Sequence, residues 1–130
     1  MLSKEFLIEY ERKYSSHDAY NYPAATFMRS DHFCQRLTNR GPEFQKMTIQ
    51  DAKLLLDRIA PRLPEFNKLV ELGQPYWVVC KDLGFSILLK NGMPQKGKWI
   101  SYLETIMGPN RNGELVEPRN YRDLPIIYQD

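Results

Sequence analysis

The run Gly92-Met93-Pro94-Gln95-Lys96-Gly97-Lys98-Trp99 matches a phosphate-binding loop, G-x-x-x-x-G-K-[ST], at every position but the last. In such a loop, backbone N–H groups and the N-terminus of the following helix converge on the anion, and the lysine adds charge. The apolar run from Phe85 to Leu89 supplies the preceding strand, and residues 99–107 carry a helix-period pattern after it. Two residues oppose a nucleotide: Trp99 has no hydroxyl for a magnesium ion, and Pro94 has no N–H inside the loop. A nucleotide-hydrolysing domain also needs a parallel sheet with helical crossovers, for which the roughly thirty residues beyond the loop leave no room. The expectation is therefore a general anion site or partner contact. It consists of Lys90, Lys96, Lys98 and Trp99, in the acid-free stretch between Leu83 and Leu103.

Two histidines, His17 and His32, each adjoin an aspartate, Asp18 and Asp31. Titrating near neutrality, such a pair can cleave RNA without metal, one as base and one as acid. Arg29, Arg36 and Arg40, with Tyr14, Tyr20, Tyr22 and Phe27, are of the types that hold and stack a single strand. Against a ribonuclease, residues adjacent on a helix do not face each other. His17, His32, Cys34 and Cys80 are the only soft ligands, and their spacing matches no zinc pattern. No metal or cofactor is expected, and nothing places a base beside Cys34 to activate it as a nucleophile.

The chain has 130 residues, 42% hydrophobic and 26% charged, with a net charge of +2. That suits one soluble domain whose core needs neither disulfide nor metal. So small a net charge gives no global field to draw in nucleic acid or anionic lipid. The cysteines form no C-x-x-C pair, no apolar run reaches the ~18 residues of a membrane span, and Lys4, Glu5 and Glu9 interrupt any leader-like segment. The expected setting is cytoplasmic, with no membrane partner.

The elements that position these residues read as follows. Ser3 caps a first helix whose apolar stripe is Leu2, Phe6, Leu7, Tyr10 and Tyr14, and residues 15–29 read as loop. A second helix runs from about Ser30 to Arg40, with Phe33 and Leu37 on one face and Gly41-Pro42 as its stop. Thr48 and Asp51 resemble a capping box for a third helix, which carries Ile49, Ala52, Leu55, Leu56 and Ile59 and ends at Pro61. A shorter helix starts at Pro64 and closes at Gly73. Tyr76–Lys81 and Phe85–Lys90 read as a hairpin joined by Asp82-Leu83-Gly84. Residues 99–107 read as a helix with an apolar arc of roughly 160°. From Gly108 on, prolines, asparagines and the arginines Arg111, Arg119 and Arg122 punctuate the chain, leaving Leu124–Tyr128 as a short terminal strand or anchor.

The fold class expected is α+β: about five helices packed on a small antiparallel β-hairpin in residues 1–107, followed by an irregular C-terminal arm, 108–130. The helix 48–60, helix 64–72 and hairpin order resembles a winged helix-turn-helix, which would make the chain a nucleic-acid-binding protein. The would-be recognition helix, however, exposes two glutamates against one lysine. Lacking a self-consistent catalytic set, the chain reads first as a non-enzymatic interaction or regulatory protein. It would bind a protein or protein–nucleic-acid partner through the lysine loop, Arg29, Arg36 and Arg40, and the arm arginines Arg111, Arg119 and Arg122. Reversing the charge of Lys90, Lys96 and Lys98 should then abolish partner capture.

Overall fold

A computed structural model describes residues 14–118 and 123–130, with 14–18 described by backbone alone. Six strands among them form one mixed sheet: β1 (Tyr14–Asn21), β2 (Ala25–Ser30), β3 (Tyr76–Cys80), β4 (Phe85–Asn91), β5 (Trp99–Met107) and β6 (Ile126–Tyr128). Their order is β1-β2-β5-β4-β3-β6. The β2–β5 and β3–β6 pairs are parallel, and the other three are antiparallel. The described helices are α1 (Asp31–Thr38) and a continuous run made of α2 (Ile49–Ile59), a 3-10 turn (Ala60–Arg62) and α3 (Leu63–Phe66). A layer of about five helices on a small hairpin is thus replaced by a six-stranded sheet with two helical stretches.

The largest correction is residues 99–107, a central strand rather than a helix. All but its first residue are buried, so it has no polar face to alternate with an apolar one. It also carries a bulge. Leu89 pairs with Leu103 but Leu88 pairs with Thr105, which makes Glu104 an extra residue. The two side chains that join the main core, Leu103 and Ile106, therefore stand three apart, the spacing of a helical face.

Residues 15–29 form the β1–β2 hairpin instead of a loop. Its register jumps from Ser15↔Arg29 to Tyr20↔Phe27, and that irregular stretch holds the polar residues that break any period. An edge strand tolerates this, since it has a partner on one side only. The helix expected over residues 2–14 lies outside the described residues, except that Tyr14 opens β1. The helix expected from Pro64 to Gly73 stops at Phe66, where i→i−3 bonds from Lys68 to Glu65 and from Leu69 to Phe66 tighten the chain into turns. What remains is too short for a helix that reads DNA.

Other elements follow from local chemistry. The Ser30 hydroxyl accepts from the Phe33 N–H and caps α1. Thr48 and Asp51 make both halves of a capping box at α2. Beneath the helices, Leu55, Leu56, Ile59 and Phe66 pack on Phe27, Val78, Ile87 and Leu103 in one apolar cluster. On the opposite face, Ile100 and Tyr102 pack with Met28, and Lys90 pairs with Glu104 at 2.8 Å.

β2 accompanies β5 only as far as Arg29↔Leu103, and α1 then runs beside the remainder. There the Ser30 hydroxyl donates to the Leu103 carbonyl at 3.0 Å, and Arg40 donates to Thr105 Oγ1 and the Ile106 carbonyl at 3.0 and 3.2 Å. These side chains supply donors where a neighbouring strand would otherwise have done so. The chain after α1 is stitched to the arm that follows β5. Gln45 N–H donates to the Pro109 carbonyl, Arg111 N–H donates to the Glu43 carbonyl, and Phe44 bridges Asn110.

Candidate binding recess

The Gly92–Trp99 run is the connection between β4 and β5. Gln95 and Lys98 exchange both backbone bonds, at 2.8 and 2.9 Å, around Lys96 (φ 51°) and Gly97 (φ 78°). Positive φ at both central residues is the type I′ hairpin turn, whose twist matches that of the flanking strands. No helix follows, so the helix N-terminus expected to face an anion is not there. The Gln95 and Lys98 N–H groups are spent on each other's carbonyls, and Gly92 N–H is spent on the Ile100 carbonyl. Lys90 is partly buried in its pair with Glu104, leaving Lys96 and Lys98 at the tip, beside the half-buried Trp99.

Of the arginines, Arg29 reaches the Tyr20 hydroxyl at 3.3 Å and lies over that ring, on the β1–β2 hairpin. Arg119 and Arg122 lie outside the described residues, as does the side chain of His17. His32 is exposed on α1, and its Nε2 accepts from Arg36 at 3.5 Å, the weak end of hydrogen bonding. Both cysteines are free thiols; buried Cys80 accepts from Arg58 at 3.0 Å. Among the described residues no group of three or more His, Cys, Asp or Glu could hold a metal ion.

Arg36, Arg40 and Arg111 do come together. They surround Phe44, at the Met107 end of β5, with Arg40 and Phe44 forming the wall between two recesses. The smaller, about 360 Å³, is lined by Thr38, Asn39, Arg40, Phe44, Gln45, Lys46 and Arg111, with Gly41 and Pro42 at its edge. The larger, about 430 Å³, has Trp77, Met107, Val116 and Pro118 as its apolar part and Arg36, Glu43 and Glu117 as its charges. The Arg40 guanidinium stands 5.9 Å from the Phe44 centroid, within cation–π range.

Charge is lopsided there. The lining of the smaller recess includes no Asp or Glu among the described residues, although the Glu43 carboxylate stands beside Gly41, and neither Lys46 nor Arg111 forms an ion pair with a described carboxylate. Lys46 and Phe44 were missed by sequence reading. Nothing in the run after Gly41-Pro42 signals that it will meet Asn110, because that encounter is non-local. The hairpin tip lies at the other end of β5, about 26 Å away at ~3.3 Å per residue. The lysine loop and Arg111 therefore do not form one patch.

A second polar cluster is structural in character. The buried Tyr76 hydroxyl donates to Asn91 Oδ1 at 2.9 Å, and Asn91 Nδ2 donates to Asn67 Oδ1 at 3.0 Å. Burial pushes the Tyr76 hydroxyl well above its ordinary pKa, with the Asn91 hydrogen bond pulling the other way. Tyr22, pushed up mainly by burial and then by its 2.6 Å bond to Asp57, ties the β1–β2 turn to α2.

No protein family matches this chain, and no curated protein or solved structure matches it either, so its function rests on geometry alone. No described helix is long and apolar enough to cross a membrane.

Proposed function

We propose that the chain is a non-enzymatic binding protein that engages an acidic protein partner through the paired recesses around Arg40 and Phe44. One observation carries this reading: Arg40 and Lys46 from the α1–α2 connection and Arg111 from the arm line one concave surface whose lining residues include no Asp or Glu among the described residues. An aromatic and arginine centre beside an apolar groove is the composition that concentrates binding energy at protein interfaces. Backbone bonds between the 43–45 segment and the arm hold the surface in place, so little ordering is left for the moment of binding. The hairpin lysines, at the far end of β5, serve as the control.

The test is quantitative affinity capture from lysate, with and without nuclease, using wild type, K46E/R111E and K96E/K98E as baits. The expected result is a protein set held by wild type and K96E/K98E, lost by K46E/R111E and indifferent to nuclease. Capture that disappears with nuclease would reassign the surface to nucleic acid, and undiminished capture by K46E/R111E would end the proposal.

A further inference from the structure

The partner's acidic character can be narrowed to one chemical group, on the strength of the docking surface proposed above. We infer that the smaller recess receives a phosphate monoester borne on a side chain of the protein partner. Its volume, about 360 Å³, is at the low end for ligand sites and suits one modified side chain rather than a whole cofactor.

Three cationic residues line it: Arg40 and Lys46, both on the connection between α1 and α2, and Arg111 from the arm. A carboxylate brings one charge and two oxygens to such a set. A phosphate monoester brings a charge of about −1.5 to −2 and three acceptor oxygens, the closer match to a set of three cations. Arginine forks fit those oxygens bidentately, while lysine contributes a compact point charge.

The donors are held before any ligand arrives. Arg40 Nη1 donates to Thr105 Oγ1 and to the Ile106 carbonyl. The Arg111 backbone is pinned to the Glu43 carbonyl. Phe44, also in the lining, gives the carbon linker of a modified residue an apolar wall. The larger groove, with its mixed charges and its Trp77 and Met107 surface, takes the neighbouring apolar residue of the same segment. Recognition of phosphorylated segments by arginine clusters works through this chemistry.

The experiment is a set of NMR titrations of the isotope-labelled full chain with O-phosphoserine, phenyl phosphate, inorganic phosphate and glutarate. The expected result is that one or both esters shift the amide signals of residues 38–46 and 110–113. K46E and R111E should each weaken that binding at least about tenfold, the scale of one hydrogen bond to a charged group. Glutarate binding as tightly as the esters would overturn the inference in favour of a dicarboxylate. Inorganic phosphate binding more tightly than both esters would overturn it in favour of a free anion, and an absence of shifts, or shifts elsewhere, would overturn it outright. If the esters fail while partner capture still depends on Lys46 and Arg111, the phosphate is wrong and the docking surface stands. If capture ignores both residues, the docking surface itself is wrong.

Discussion

Gly92 and Gly97, which together imitate a phosphate loop, are required for different reasons, and alanine at each position separates them. At Gly92 an added Cβ would sit 2.7 Å from Tyr102 Cε2, whereas ordinary contact begins near 3.4 Å. The ring would have to retreat by roughly 0.7 Å, and Tyr102, only 6% exposed, is packed in place. Overpacking of this kind costs about 1–3 kcal/mol. Alanine returns about 0.4–1 kcal/mol by narrowing the unfolded ensemble. The net expectation for Gly92→Ala is a loss of about 1–2 kcal/mol, or about 3–6 °C in Tm for a domain of this size.

Urea denaturation of a double-mutant cycle with Tyr102→Leu is the assay. Removing the ring should erase the Gly92→Ala penalty, with a coupling of about 1 kcal/mol or more. Gly97 behaves otherwise: nothing lies within 4 Å of its would-be Cβ, but its φ is +78°. Gly97→Ala should cost about 1–2 kcal/mol from backbone strain alone, equally with and without the Tyr102 ring. A Gly92→Ala penalty that persists unchanged in the Tyr102→Leu background would refute the steric account.

Two further outcomes are expected of the stability of the fold. Tyr76→Phe strips buried Asn91 of its donor and should cost about 1–3 kcal/mol; a midpoint equal to wild type would show that the relay contributes nothing. The Asp130 carboxylate accepts from the backbone N–H groups of Lys81 and then Asp82, which hold its carboxyl below the usual carboxylate range. A lowered folded pKa gives stability that is present above the unfolded value near ~3.9 and lost as pH falls through the folded one. Asp130→Asn should therefore be less stable than wild type at neutral pH, with the gap closing in acid below about pH 4. A gap that survives in strong acid would assign the effect to something other than the charge.

Legibility in the sequence tracked how local each cause was. The Thr48–Asp51 box and the stripe from Ala52 to Ile59 specify α2 within one segment, and Asp82-Leu83-Gly84 specifies the β3–β4 turn in the same way. β5 was unreadable because its pattern is set by burial on both faces and by the Glu104 bulge, and neither belongs to residues 99–107 alone. β1 was hidden by an edge position that asks little of its side chains. For the site, sequence showed Arg36, Arg40 and Arg111 as cations but not as neighbours. It left Lys90 looking available because Glu104, its partner, lies on the next strand.

The placement of β5 also dictates when the sheet can close. β2, which pairs with β1 in a hairpin, finds its other neighbour only in β5, with Ala25 against Trp99. During synthesis the β1–β2 ribbon must wait for roughly seventy further residues, and a lone two-stranded ribbon is marginal in water. Insertion of β5 between β2 and β4 is the long-range step that joins the β1–β2 ribbon to the rest of the sheet. Until that insertion the edges of β2 and β4 both stand open to intermolecular strand pairing, and β6 has still to join β3 after it.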